Sequence, residues 1–274
     1  MPPIPLPQAL GPDLHLLRLP TEPSPDDDGL VLPADALVWR DGEPLLVDTG
    51  GARSAASFWA QLEAVLDPVD LRWVFLSHDD ADHTGNLATL LERCPAATVV
   101  TTQLLGRRLR ASLELPLERC RWLNDGERAD LGGRTVVALQ PPAYDGPATR
   151  GLFDEATGTY WAADCFGVAL PHPVADASQL DLDVWEHGTL AYHRLLAPWV
   201  LDVDRRRWHR AVDRLRSLAP RLILGAHGAP IRRPDVARAL DLLDELPDQR
   251  AEPAPDQAVL ERLLAEVHGL PAAG

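Results

Sequence analysis

Two apolar runs, ALVWR at 36–40 and LLVD at 45–48, flank Asp41-Gly42-Glu43-Pro44, and this pattern predicts a β-hairpin with Asp-Gly in its turn. Over 54–66, Ala56, Trp59, Leu62 and Leu66 fall on one face of a helix. LRWVFLS at 71–77 has the length and β-prone content of a short buried strand, a helix is expected at about 84–93, and ATVVTT at 97–102 is the next strand. Short strands follow over 119–139, punctuated by Asn124-Asp125-Gly126 and Gly132-Gly133, and RGLFD and TYWAA form a second hairpin over 150–163. The later chain turns helical near 184–196, 205–217 and 234–246, with the strand RLILGA at 221–226 between the last two. A further amphipathic segment occupies 258–267. Hairpins mixed with strand–helix alternation predict an α/β (α+β) protein with two sheets covered by helices.

Composition changes this picture little. Of 274 residues, 46% are apolar and 24% charged, an ordinary globular balance. Pro-rich, acidic residues at 22–29 predict a solvated loop that closes an N-terminal extension, 1–29. The main domain is then expected over 30–250, and a Pro/Glu/Asp linker at 251–256 leads to a C-terminal helix within 251–274. The net charge of −15 argues against nucleic acid and anionic lipid as partners. The N-terminus has neither a basic nor a continuous apolar region of the kind a secretory signal needs, and no apolar run approaches the roughly 18 residues of a membrane span. Cys94, Cys120 and Cys165 are odd in number and lack metal-ligand spacing, so a reduced, cytoplasmic protein is expected.

The chemistry concentrates in His78-Asp79-Asp80-Ala81-Asp82-His83, directly after the strand at 71–77. Carboxylates this close repel one another, so gathering them with imidazoles is costly unless a cation joins them. A solvated acidic turn is the plain alternative. Against it, isolated Asp and His residues recur at later strand ends, as Asp164 and His227.

The run Leu76-Ser77-His78-x-Asp80-x-Asp82-His83-Thr84-Gly85 resembles the signature loop of the metallo-β-lactamase superfamily. Asp48-Thr49-Gly50, Gly158-x-x-Trp161-x-x-Asp164 and Gly225-x-His227-Gly228 resemble the family's other landmarks, in order, and the likeness covers roughly 30–235. It implies a single-domain, four-layer αββα sandwich with a dinuclear site on its edge. An acidic residue at Asp80, where zinc hydrolases carry histidine, is similar to the flavodiiron branch, in which glutamate stands there and the metal is iron. That branch expects a further ligand nineteen residues before the bridging carboxylate, and with Asp164 as the bridge the position is Asp145, itself a departure from the family's histidine. The segment from 192 to 231 also resembles that branch. By this resemblance one metal takes His78, Asp80, Asp145 and Asp164, and the other takes Asp82, His83, Asp164 and His227. Asp145 also reads as an ordinary turn residue beside an inward Tyr144. Hard oxygen donors favour iron or manganese over zinc, and four aspartates balance two divalent ions.

Asp79 and Ala81 should face away from the metals. Asp48 either orients a ligand histidine or caps its strand. Cys165 reads as a buried thiol, and His193 either as a proton donor beside Asp164 at the reacting site or as a structural histidine. Trp185, Trp199 and Trp208 suggest core or homodimer packing more than a substrate cage. Two functions are consistent with the resemblance. One is a non-haem di-iron protein that binds or reduces dioxygen or nitric oxide. Flavodiiron enzymes draw electrons from a flavodoxin-like domain, and only about 45 residues follow His227, so a separate redox partner, or an oxygen sensor without turnover, is expected. The other is a metal-dependent hydrolase attacking a small-molecule ester, thioester, lactone or phosphodiester with a metal-bridging hydroxide. A metal-stabilised scaffold is a third.

Overall fold

The computed structural model describes residues 6–19, 30–251 and 255–268. The loop expected at 22–29, and residues 252–254 of the expected linker, lie outside the described residues. The chain opens with β1 (Gln8–Ala9), β2 (Leu14–Leu17), β3 (Ala36–Trp39) and β4 (Leu45–Val47). α1 (Ala55–Val65) leads to β5 (Trp73–Phe75), α2 (Ala81–Thr84) and α3 (Leu87–Arg93) lead to β6 (Thr98–Thr101), and α4 (Gln103–Leu113) leads to β7 (Cys120–Trp122). Then come β8 (Arg128–Asp130), β9 (Thr135–Leu139), β10 (Gly151–Asp154) and β11 (Thr159–Trp161). α5 (Leu182–Leu196) and α6 (Arg205–Ser217) precede β12 (Leu222–Leu224), β13 (Ile231–Arg232), α7 (Asp235–Glu245) and α8 (Gln257–His268).

These strands form two sheets, one running β1-β2-β3-β4-β5-β6-β7 and the other β13-β12-β11-β10-β9-β8. Hairpins join antiparallel neighbours, as in Leu37 opposite Val47 and Phe153 opposite Tyr160. Where a helix intervenes the next strand is parallel: β4, β5, β6 and β7 in the first sheet, and β11 with β12 in the second. Side-chain alternation along each strand then fills three apolar layers. Leu37, Trp39, Val47 and Phe75 meet Val136, Leu152, Trp161 and Leu224 between the sheets. Val38, Leu46 and Val74 face α1, α3 and α4 through Phe58, Leu62, Leu90 and Leu105. Tyr160 and Ile223 face α5, α6 and α7 through Trp185, Trp208, Val212 and Leu243. This is the αββα sandwich expected from the sequence.

Both predicted hairpins and the helices near 54–66, 184–196, 205–217 and 234–246 are present within one or two residues. Three features differ. The expected extension at 1–29 contributes β1 and β2 to the first sheet, so the folded unit begins well before residue 30. The helix expected at 84–93 is broken, because Gly85 N–H donates to the Gly50 carbonyl and the Asn86 amide donates to Thr49 and Gly51. α4 was not predicted, although Thr102 caps it by accepting from Leu105 N–H and Leu105 and Leu109 are buried. Gly106 weakens the local helical signal there, and its missing side chain makes room for Trp122, whose Nε1 would stand 3.1 Å from a Cβ. Among the described residues, no helix is long and apolar enough to cross a membrane.

Leu37 is fully buried between the two sheets. Leu37→Ala should lower stability by about 2–5 kcal/mol. Urea unfolding would show this as a lower midpoint at an unchanged slope.

Candidate metal centre

The parallel strands of the two sheets end on the same edge, and their following residues meet there. Asp48 follows β4, Ser77 and His78 follow β5, Asp164 follows β11 and His227 follows β12. α2 presents Asp82 and His83, with Asp80 at its N-terminus. Asp48 and Ala163 have left-handed backbone, φ 58° and 54°, where the chain turns sharply out of β4 and β11. Gly85 holds α2 close: a Cβ there would stand 2.6 Å from the Gly51 carbonyl carbon.

The side chains gather in overlapping groups, His78 with Asp80 and Asp145, His78 with His83 and Asp164, and Asp82 with His83 and His227, whose nearest donor atoms lie within 4.8 Å of one another. His78 Nε2 lies 3.9 Å from Asp80 Oδ2, 4.0 Å from Asp145 Oδ2 and 3.5 Å from Asp164 Oδ2. His83 Nε2 lies 3.0 Å from Asp164 Oδ1 and 3.7 Å from Asp82 Oδ2. His227 Nε2 lies 3.4 Å from each of the same two oxygens. The two oxygens of Asp164 therefore face different neighbours, the arrangement a bridging carboxylate needs.

Each histidine is oriented through its other nitrogen. His83 Nδ1 lies 3.0 Å from Asp48 Oδ2, His78 Nδ1 lies 2.9 Å from Ser77 Oγ, and His227 Nδ1 bonds the Pro33 carbonyl. Carbonyl and carboxylate acceptors place the proton on Nδ1 and leave the Nε2 lone pair facing the cluster. Asp48 thus orients a histidine of the cluster, as well as ordering its strand end. Asp145 Oδ1 accepts from Thr149 Oγ1 at 2.8 Å, which aims its other oxygen at His78.

Among the described residues the buried His78 Nε2, His83 Nε2 and Asp164 Oδ1 have no hydrogen-bond partner, a costly condition that a coordinated cation relieves. Charge says the same. Burial raises the Asp80 carboxyl above its ordinary range, and although His78 opposes this, the carboxylates of Asp145, Asp164 and Asp82 raise it further. Burial alone would lower His83, but Asp164 and Asp48 raise it well above normal. Burial alone would raise Asp164, but His83 and His227 hold it well below normal. The residues present therefore suit two metal ions, the first among carboxylates and one imidazole.

Other residues singled out in the sequence lie elsewhere. Asp79 turns outward to Arg108 at 3.1 Å, and Ala81 is exposed. Cys165 is buried, and desolvation pushes its thiol up to about 12. Trp185 and Trp208 are buried within the protomer, and Trp199 Nε1 donates to the Tyr144 carbonyl. These contacts use the tryptophans inside one chain. His193 is fully buried: Nδ1 bonds the Thr189 carbonyl at 2.7 Å and Nε2 accepts from Phe166 N–H at 2.9 Å. Both nitrogens are engaged, so the proton-donor expectation for His193 is replaced by the structural one.

The residue missed is its neighbour Tyr192, whose ring lies 6.0 Å from that of His227. Burial and then Asp164, Asp82 and Asp145 push its phenol well above the ordinary range. Successive helical residues point about 100° apart, so a buried His193 directs Tyr192 elsewhere, and here elsewhere is the cluster. Gly167 makes room, since a Cβ would come within 2.6 Å of the phenol ring.

Residues 33–143 match the family model of the metallo-beta-lactamase superfamily. A putative diflavin flavoprotein A 1 of Thermosynechococcus vestitus is 29% identical over 68% of this chain, which spans about a third (32%) of that relative's length. Among solved structures, rubredoxin oxygen:oxidoreductase from Desulfovibrio gigas matches 89% of this chain and 62% of its own at a TM-score of 0.79 and 20% identity. The chemotaxis sensor ODP, solved as a peroxy diiron species, matches 87% of this chain and 93% of its own at a TM-score of 0.67 and 17% identity. At these identities the structural likenesses are of fold. Residues 33–143 of the chain thus resemble the metallo-beta-lactamase superfamily, and proteins named as diflavin flavoproteins are among its relatives.

His193 gives a test in acid. Burial lowers its pKa from 6.5 to about 4, so its contribution is complete above pH 6.5 and drains away as pH falls towards 4, up to roughly 3 kcal/mol. His193→Gln should flatten that part of the stability-versus-pH curve, measured by urea unfolding at pH 7.5, 5.5 and 4.5.

Proposed function

We propose that the chain is a non-haem di-iron protein that binds or reduces dioxygen or nitric oxide. His78, Asp80, Asp145 and Asp164 hold one iron, and Asp82, His83, Asp164 and His227 hold the other, with Asp164 shared. The observation that carries this reading is the partition of donor atoms into overlapping groups, one of which joins His78 to two carboxylates. Oxygen-rich donor sets favour iron or manganese over zinc. They also weaken the metal as a Lewis acid, and the named relatives are flavoproteins and di-iron proteins, which favours the di-iron reading over the hydrolytic one.

Ferrous ions held there would supply electrons to the diatomic ligand. The chain's own residues do the rest. Asp48, Ser77 and the Pro33 carbonyl fix the imidazoles before metal arrives. Tyr192, whose ring lies 6.0 Å from that of His227, would offer its phenol O–H to the diatomic ligand as a hydrogen-bond donor. The sandwich walls exclude bulk water from Asp164, which is only 4% exposed. Turnover would draw electrons from a separate redox partner; without one the same site would act as an oxygen sensor. A reducing, cytoplasmic setting is consistent with the three unpaired cysteines.

Plasma mass spectrometry on protein expressed without added metal should find two irons per chain, with near-ultraviolet ligand-to-iron absorption that bleaches on reduction. Two zincs instead would sink the proposal. Asp145→Ala should lose iron from the His78 side; unchanged metal content would strike Asp145 from the ligands. Tyr192→Phe should keep both irons while weakening diatomic binding about tenfold, the effect of one hydrogen bond. An unchanged binding curve would leave Tyr192 only a packing role.

A further inference from the structure

A cavity of about 270 Å³ opens at the end of the sandwich opposite the metal cluster, where β11 and β12 begin rather than end. Both sheets build it. The β1–β2 turn and Trp39, the last residue of β3, come from the first; Arg134, Arg221 and Arg232 come from the second. In a chain of net charge −15, three guanidinium groups on one small cavity form a local reversal of sign.

The wall's two carboxylates are already engaged. Asp13 pairs with Arg40 at 3.2 Å, and Asp41 pairs with Arg134, which also holds Asp154 at 2.8 Å. Arg232 Nε lies 3.4 Å from Asp176, and the same guanidinium makes a long, 3.4 Å bond to the Leu10 carbonyl. The Arg221 side chain has no hydrogen bond or ion pair among the described residues.

The floor adds an independent observation. Trp39 is only 1% exposed, and its buried indole N–H has no acceptor among the described residues. The indoles of Trp73, Trp161, Trp199 and Trp208 all donate, to Glu43, Asp48, Tyr144 and Leu243. A buried donor left unpaired destabilises a fold, and such groups in native proteins usually have a partner.

We propose that this cavity binds a small anion through a carboxylate or phosphate group, with Arg221 and Arg232 supplying charge and the Trp39 indole supplying the buried donor. Charge-assisted bonds to guanidinium suit both anions. Because the lining comes from both sheets, occupancy ties them together at the end remote from the metal cluster. The site stands apart from the di-iron proposal and does not depend on it.

Isothermal titration of the full chain with inorganic phosphate, and separately with succinate, tests this and distinguishes the two anions. At least one should bind with a dissociation constant below about 1 mM and raise Tm. Arg221→Gln should weaken that binding about tenfold or more, whereas Arg128→Gln, an exposed arginine outside the cavity, should not. Trp39→Phe should raise the Tm of anion-free protein and shrink the Tm gain on adding the anion. Binding of neither anion, or binding untouched by Arg221→Gln, overturns the proposal. So does a phosphate signal that disappears on metal chelation but survives Arg221→Gln, since that phosphate sits on the metals.

Discussion

The buried carboxylate of Asp48 is the contact on which the rest of the candidate site depends. Its Oδ1 accepts from Ser77 N–H at 2.8 Å, and its Oδ2 faces Ser77 Oγ at 2.7 Å, His83 Nδ1 at 3.0 Å and Trp161 Nε1 at 3.1 Å. β4 supplies the carboxylate, β5 the serine, α2 the imidazole and β11 the indole, so one side chain joins both sheets and the helix at their edge. Every partner donates, so a neutral amide, with an N–H pointing at one of these donors, is a poor substitute. A carboxyl group this deeply buried is tolerated because all its neighbours supply hydrogen bonds.

Around that hub the cluster is arranged for a charge it does not itself contain. Asp80, Asp82, Asp145 and Asp164 converge on three imidazoles whose Nε2 atoms all face inward. Such a gathering of carboxylates opposes itself, which is why partial burial and the neighbouring carboxylates raise the Asp80 carboxyl. The fold bears this strain because the strands and α2 are held by ladders and bonds that do not depend on the cluster. Gly85 and Asn86 pin α2 to the β4 loop, and Thr49 Oγ1 donates to the His83 carbonyl. The site is therefore preorganised by backbone contacts rather than by the ligands themselves.

The second sheet brings the remaining parts. Asp164 arrives through the left-handed turn at Ala163, and His227 follows β12 after Gly225, where a Cβ would stand 3.0 Å from the Ala163 carbonyl. α5 then divides its labour between neighbours. His193 turns into the core and ties the helix to Phe166 N–H, while Tyr192 lies over the cluster.

The sequence by itself determined the hairpins, most helices, the sandwich architecture and the candidate ligands, because those features leave local signatures. Apolar periodicity marks the elements, and His78 through His83 stand in one unbroken run after a strand. Only the tertiary structure decided the role of residues whose meaning depends on what lies opposite. It placed β1 and β2 in the first sheet rather than in an extension, since pairing with β3 is a long-range contact. Adjacent in sequence, Tyr192 and His193 could not be told apart by spacing, and the packing of α5 against Phe166 chose between them. Nor does any local pattern reveal that Asp48 faces four donors or that Trp39 has no acceptor among the described residues. A hydrogen bond is a relation between two groups, and for these residues the second group lies on another strand or helix.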